Sequence, residues 1–310
     1  MLDISLIGTG GMIPLHNRFL TSMIARCNGS MLLIDCGEGT QVTLSQLGWG
    51  FKSIDYVCFT HYHADHIAGL PGFLLTLGNH GRTEPLTLIG PRGLKHAVEG
   101  LRVIAPELPY EIEYVEMHFP RGKEYKQEQI QLGNFILSVT PTDHTMDGFG
   151  YSIYIPRNGE FDAAKAKQNE VSMKYWSRLQ KGEIIIGEEG RKYTPDMVAG
   201  PERKGIKVSY ITDTRPTNAI PEFIKGSDLF ICEGLYGEDE MRDKAANHKH
   251  MIFSEAATLA KIGEVRELWL THYSQAMRNP GDYVEGVKKI FPNTVAGYDR
   301  ISKTFKWEGQ

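Results

Sequence analysis

Six consecutive residues constrain this chain more than any other feature: His61-Tyr62-His63-Ala64-Asp65-His66. They follow the apolar run Asp55-Tyr56-Val57-Cys58-Phe59, which has strand character. One histidine in such a place is ordinarily a satisfied core or surface residue. Four imidazole and carboxylate groups crowded together without a cation would lose solvation and gain nothing for it. Imidazole nitrogen with carboxylate oxygen suits zinc, with manganese or iron as alternatives. His61 and His63, two apart on an extended loop, are positioned to share one ion. Asp65 and His66, at the entry to a following helix, are positioned to reach a second.

Three more residues occur in the same local context. His144 comes after the run Phe135 to Thr140, Asp213 after Val208 to Thr212, and His272 after Glu267 to Thr271. Polar residues at the ends of apolar strands converge on one rim in folds of alternating strands and helices. Together the seven side chains suffice for two ions. His61, His63 and His144 would hold one, Asp65, His66 and His272 the other, with Asp213 between them.

The 310 residues allow one large domain or two medium ones. With 41% hydrophobic and 23% charged residues, the composition is that of a soluble globular chain with a sizeable core. No run approaches the roughly 18–20 apolar residues of a membrane span. The start, Met1 to Ser5, lacks the basic and apolar regions of a secretion signal, so a cytoplasmic location is expected. Cys27, Cys36, Cys58 and Cys232 show no CxxC spacing and read as buried small hydrophobes. The formal charge of −4 disfavours a non-specific nucleic-acid coat and leaves room for local basic patches.

Strands are expected at Asp3–Gly8, Ser30–Asp35, Ile54–Thr60 and Leu86–Gly90, then at 135–140, 150–155, 207–212, 228–232 and 267–271. Helix-type spacing covers Thr40 to Leu47, Ile67 to Leu77, the stretch opened by Pro91 through Leu101, and Ser254 to Lys261 with Ser254 as N-cap. Residues 158–204 turn charged with sparse apolar periodicity, which reads as a surface excursion from a single domain spanning 1–310. The halves resemble one another, with sheets inside and helices outside.

Further residues carry a resemblance. Gly8-Thr9-Gly10-Gly11, Ile34 through Gln41 (Ile-Asp-Cys-Gly-Glu-Gly-Thr-Gln), Gly69-Leu70-Pro71-Gly72 after the histidine cluster, Glu84-Pro85-Leu86, Ile89-Gly90-Pro91, Gly159 through Asp162 and Asp213-Thr214-Arg215 all match one pattern. The chain resembles the metallo-β-lactamase superfamily and, within it, the ribonuclease Z family, zinc endonucleases that trim the 3′ side of transfer-RNA precursors. The histidine cluster alone marks the superfamily; the Gly-Glu-Gly-Thr-Gln and Gly-Leu-Pro-Gly neighbours make the narrower likeness specific. The resemblance implies an αββα sandwich, two zinc ions on one edge, and a homodimer. It also pairs Glu233 with a histidine near the scissile phosphate. His250 aligns with that histidine better than His248, although the family's His-Ser-Thr segment reads His250-Met251-Ile252 here.

Other departures fall on parts that face substrate in the family. Its loop Pro-x-Lys-x-Arg-Asn reads Pro14-Leu15-His16-Asn17-Arg18-Phe19, which keeps Arg18 and loses the lysine. After the last histidine, Ser-x-Arg-Tyr becomes Ser274-Gln275-Ala276-Met277, and Pro-Pro-Gly-Pro becomes Val171-Ser172-Met173-Lys174. Basic residues gather at Arg121-Gly122-Lys123, at Arg203-Lys204, and from Lys174 through Arg178 to Lys181. In that last group Tyr175 and Trp176 could stack on bases. The expected activity is hydrolysis of a phosphodiester in RNA, with Arg18, Lys174, Arg178 and Lys181 touching substrate. Asp65 is expected to accept the water's proton, and His250, oriented by Glu233, to assist the leaving oxygen. The alternatives are a related hydrolase of a small phosphodiester, thioester or sulfate ester, and a metal-stabilised binding protein without catalysis. The intact pair Glu233 and His250 counts against the last. Asp213, standing where many β-lactamases carry a thiolate, counts against lactam hydrolysis.

Overall fold

The computed structural model describes residues 1–119 and 128–307, so the basic group at Arg121 to Lys123 lies outside the described residues. The chain divides into two compact units, one of residues 1–154 with 207–306 and one of 155–206 with the last residues.

The larger unit is organised by two seven-stranded sheets. From edge to edge the first runs Ser302–Phe305, Leu2–Gly8, Ser22–Cys27, Ser30–Ile34, Ile54–Cys58, Leu86–Pro91 and Ile112–Met117. The second runs Thr294–Ala296, Leu268–Thr271, Leu229–Glu233, Arg203–Ile211, Phe149–Arg157, Phe135–Pro141 and Glu128–Leu132. Each sheet begins with an antiparallel meander and continues in parallel strands. Parallel neighbours need a crossover, and helices supply it: Leu70–Asn79 and Leu94–Leu101 in the first half, Ile220–Ile224 and Phe253–Ile262 in the second. The apolar face of each set packs on its sheet. One core gathers Leu33, Val57, Phe59, Phe73 and Leu88, the other Phe223, Phe230, Phe253 and Leu270. The sheets meet where the buried Tyr151 hydroxyl donates to the Phe59 carbonyl at 2.6 Å.

All four cysteines are buried and unbonded to one another, as expected of small core residues. The expected elements recur with ends shifted by a few residues, and Thr40–Leu47 is helical over the expected span. One expected helix is split: Ala64–Ile67 ends before Leu70–Asn79 begins. The break falls at Gly69, where a Cβ would stand 2.3 Å from the Gly37 carbonyl oxygen, so only glycine lets the two backbones pass. Ser254 is not the N-cap of the late helix. The helix starts at Phe253, and Glu255 turns back to accept the Ile252 amide at 3.1 Å while Ser254 donates to Asp239. The strands Ser22–Cys27 and Ile112–Met117 lie beyond the sequence reading because their polar and apolar residues mix without a clear period of two, and Glu128–Leu132 does so because its alternation is only a few residues long.

The smaller unit contains two helices, Ala163–Gln168 and Met173–Gln180, and the paired strands Ile185–Ile186 and Lys192–Tyr193. Ala166, Val171, Leu179, Ile185 and Val198 form its own apolar cluster.

Candidate metal centre

Parallel register brings the candidate residues to one end of both sheets. In the first, Ile34 pairs with Cys58, so Asp35 and the Thr60-His61 segment emerge side by side. In the second, Ile211 pairs with Cys232 and Glu233 with Thr271, which aligns Asp213, Glu233 and His272. Three of these strand-end residues turn sharply into a left-handed backbone, with φ of 59° at Asp35, 50° at Asp213 and 56° at His272. Such conformations cost residues with a Cβ roughly 1–3 kcal/mol each, and they cluster where a site is being built. Gly11 makes room on the facing side, since a Cβ there would meet the His272 ring at 2.8 Å.

The donor atoms form two groups that share one carboxylate. His61 Nε2 lies 3.0 Å from His63 Nδ1, and His63 Nδ1 lies 3.2 Å from His144 Nε2. Asp213 Oδ2 stands 3.6 Å from His61 Nε2 and 3.7 Å from His144 Nε2. On the other side His66 Nε2 and His272 Nε2 are 3.3 Å apart, and Asp65 Oδ2 lies 3.6 Å and 3.3 Å from them. The second Asp213 oxygen, Oδ1, is 3.4 Å from His66 Nε2 and 3.2 Å from His272 Nε2. Donors 2.0–2.1 Å from a tetrahedral zinc are separated by about 3.3 Å, so these spacings fit such a cation. Neutral imidazoles this close can also share N–H···N hydrogen bonds; the convergence of both carboxylates on the same nitrogens is what suits a cation.

Burial sets the protonation of this cluster. It holds His61 well below the ordinary imidazole range, with the neighbouring His66 adding to the effect, and it lowers His63 and His144 as well. Burial also opposes ionisation of Asp65 and Asp213, but the surrounding histidines outweigh it and hold both carboxyls below their usual range. His66 behaves oppositely. Burial disfavours its charge, yet Asp213, Asp35 and Asp65 outweigh burial and raise it well above the ordinary value. A proton on His66 would compete with a cation for the same nitrogen.

Partners behind the donors aim the rings. The wholly buried Asp35 accepts His66 Nδ1 at 2.8 Å, the Thr60 amide at 2.8 Å and the Thr60 hydroxyl at 2.8 Å, which leaves His66 Nε2 facing the cluster. His144 Nδ1 donates to the Lys249 carbonyl at 3.2 Å. His250 Nδ1 lies 3.0 Å from Glu233 Oε2, and Glu233 is itself fixed by the Thr214 and Met251 amides. Burial opposes a charge on His250, but Glu233 and Asp213 outweigh it and its pKa rises to about 9. Arg215 pairs with Glu255 at 2.5 Å and donates to the His250 carbonyl, clamping that loop. His248 is exposed on the same loop.

All seven expected donors thus meet in space, and His250 and Glu233 flank them. Asp35, Thr60, Arg215 and Glu255 are absent from the sequence reading of the site. Asp35 carried the available signal, because it ends an apolar strand as His61 and His272 do. Arg18 was expected to touch substrate. Rather than facing substrate it is buried, and its guanidinium donates to the carbonyls of Met277 at 2.8 Å, Arg278 at 3.1 Å and Ser274 at 3.4 Å. In the smaller unit, Lys174 pairs with Glu188 and Arg178 with Glu183, both at 2.7 Å, on exposed side chains. Tyr175 and Trp176 are half-buried against that unit's own cluster, and Trp176 donates to the Val171 carbonyl.

Two mixed sheets flanked by helices, with a histidine and aspartate cluster at their common edge, define a metallo-β-lactamase-fold protein with a metal-binding centre. Solved structures agree on the fold. Human tRNase Z, short form, superposes with a TM-score of 0.68 at 21% identity, over 98% of this chain and 100% of that one. The metallo-β-lactamase fold protein YhfI from Bacillus subtilis gives 0.69 at 18% identity, over 98% of this chain and 100% of that one. Relatives named ribonuclease Z are far more similar in sequence. The one from Clostridium kluyveri is 54% identical over 308 residues, 99% of this chain and 100% of its own. That from Lachnoclostridium phytofermentans is 52% identical over 308 residues, 99% of each. A family model described as "Anti-Pycsar protein Apyc1" matches residues 2–186. The chain belongs to the ribonuclease Z family and, over residues 2–186, also to the family that model describes. It is accordingly a metal-dependent hydrolase of phosphodiester bonds.

Proposed function

We propose that this chain is a two-zinc endoribonuclease that cleaves transfer-RNA precursors on the 3′ side. The observation that carries the two-ion reading is Asp213, whose two oxygens face separate donor groups. His61, His63 and His144 would hold one ion and Asp65, His66 and His272 the other, with Asp213 bridging; manganese or iron can take the same donors. When bound, such a pair of cations supplies Lewis acidity toward phosphoryl oxygens and hydroxide at neutral pH. Asp65, held as a carboxylate, accepts the proton of the attacking water. His250, charged through its contact with Glu233, donates toward the departing oxygen. Glu233 orients that ring and keeps it protonated. On this reading 1–310 is one domain with 158–204 as an excursion, and the enzyme acts as a homodimer in the cytoplasm.

A second reading, hydrolysis of a small phosphodiester, draws on two features: Arg18 is consumed by backbone carbonyls, and Ala276 stands where the family carries an arginine. A small diester needs no phosphate contacts beyond the centre, whereas folded RNA needs several.

The discriminating experiment titrates salt against cleavage of a transfer-RNA precursor and of a chromogenic bis-phosphodiester. It is repeated with Lys174, Arg178 and Lys181 neutralised together. Each lost phosphate contact reduces the salt slope by about one. A steep slope on RNA that collapses in the triple variant, with small-diester hydrolysis intact, supports an RNA grip in residues 158–204. Failure of the loaded enzyme to cut the precursor at any salt, with the small diester cleaved, overturns the RNA reading.

A further inference from the structure

We propose that Arg18 and the backbone amide of Met12 form a strut that positions the Asp65 carboxylate, so that the loop from Gly10 to Phe19 serves the metal centre. The inference rests on Asp65 being a ligand, as read above. The Met12 amide donates to Asp65 Oδ2 at 2.8 Å, and that oxygen is the one facing His272 and His66. Met12 reaches it with φ of 70°, a conformation that residues with a Cβ avoid. Its side chain is 59% exposed, so burial of that side chain does not explain the strain.

The backbone around it does. Gly10 donates to the Phe19 carbonyl at 2.9 Å, and Leu15 and Arg18 exchange amide hydrogen bonds, which closes the loop on itself. Gly11 donates to the Tyr273 carbonyl at 3.0 Å, one residue beyond the donor His272. Arg18 then fastens the base of the loop to the same segment through its bonds to Ser274, Met277 and Arg278, with its guanidinium carbon 5.3 Å from the Tyr273 ring centre. A buried guanidinium is tolerated only when its N–H groups are satisfied, and here backbone oxygens satisfy them. The loop is therefore tied to the chain around one donor, His272, and delivers a hydrogen bond to another, Asp65. A donor behind a ligating carboxylate fixes which lone pair faces the cation, and losing such a partner typically weakens metal binding 10–100-fold.

The test is cobalt binding followed by visible absorption and chelator competition, on four variants of the full chain. Replacing Met12 by its α-hydroxy acid deletes the amide N–H alone. Arg18→Met removes the guanidinium and keeps the apolar stem. Both are expected to bind one of two cobalt ions about 10–100-fold more weakly, with a shifted ligand-field band and an unchanged KM for RNA at saturating metal. Met12→Gly, which keeps the amide and suits a positive φ, is expected to bind both ions at least as tightly as the parent. Parental affinity and spectrum in the first two variants would overturn the strut. A raised KM in Arg18→Met with parental cobalt binding would make Arg18 a substrate contact instead. Asp65→Asn is the separate control: if it still binds both ions normally, the ligand reading has failed and the strut falls with it. Should Arg18→Met not fold, the ester variant decides alone.

Discussion

Asp35→Asn is the sharpest perturbation of the centre that leaves every donor in place. Asp35 is fully buried and its two oxygens have different tasks: Oδ1 accepts the Thr60 amide and Oδ2 accepts His66 Nδ1, each at 2.8 Å. An amide has one acceptor oxygen and one donor group, so it can satisfy only one of these two N–H groups. If the new oxygen faces Thr60, the NH2 faces His66 Nδ1 and drives the ring proton to Nε2, the atom that points into the cluster. Metal must then displace that proton. If the oxygen faces His66, the NH2 opposes the Thr60 amide in a fully buried place. The first arrangement puts a proton on the nitrogen that faces the cluster, and the second leaves a buried N–H unpaired; each costs about 1–3 kcal/mol. In the first case the loss appears as about 5- to 150-fold weaker metal binding, since each 1.4 kcal/mol is a factor of ten. In the second it appears as a melting temperature of the metal-free protein lowered by roughly 2–5 °C for a chain of this size. Chelator competition and thermal unfolding on the same samples measure both. The reasoning fails if affinity stays within about twofold of the parent while the melting temperature is also unchanged.

The pH behaviour of His250 follows from its pairing with Glu233. Its folded-state pKa of about 9 lies above the ordinary 6.5, so its stabilising contribution is whole below pH 6.5 and is lost as pH rises through about 9. An NMR titration of the metal-free protein should place the ring near that value, and Glu233→Gln should bring it down toward 6.5; an unmoved titration would remove Glu233 as the cause. His250→Ala should keep the metal and lose roughly 10²–10⁴ in rate, the range for one general acid, and an unchanged rate would mean the wrong histidine is assigned. Asp213→Ala should lower the occupancy of both ions together, because its oxygens face both donor groups, whereas loss of a single equivalent by elemental analysis would argue against a bridge. Far from the centre, buried Arg82 donates to the carbonyls of Lys52, Ile54, Glu84 and Pro85. Arg82→Met removes the charge together with these donors and leaves buried carbonyls unpaired, so it should cost about 1–3 kcal/mol in denaturant unfolding, and a loss below about 0.5 kcal/mol would show that water replaces it.

Much of the centre is legible before folding because its densest part is local. Four donors within 61–66 need only one strand end and one helix entry to be near each other, and the strand Ile54–Cys58 and helix Ala64–Ile67 supply both. His144, Asp213 and His272 are legible for a related reason, since each follows an apolar run whose end the sheets bring to the common edge. The cysteines are equally plain, as small apolar side chains inside strand-like runs are buried whichever strand is their neighbour.

What remained hidden concerns partners rather than positions. Asp35 ends a strand as visibly as His61 does, but its bond to His66 depends on Ser30–Ile34 lying beside Ile54–Cys58 in parallel register. Arg18 sits in a motif that reads as a phosphate contact, and only the approach of residues 274–278 turns its guanidinium inward. Trp176 beside Lys174 reads as a stacking platform, and that it also packs half-buried against the smaller unit's own cluster shows only in the fold. Ser254 is a better N-cap than Ile252 by residue type, yet Asp239 takes its hydroxyl and Glu255 takes the cap amide. The chain therefore determined by itself which side chains can bind a cation, since donor chemistry and burial are properties of residue type and near neighbours. Which group each side chain satisfies was decided by tertiary structure, because a hydrogen bond between residues dozens or hundreds of positions apart exists only once strand order and register bring them within 3 Å.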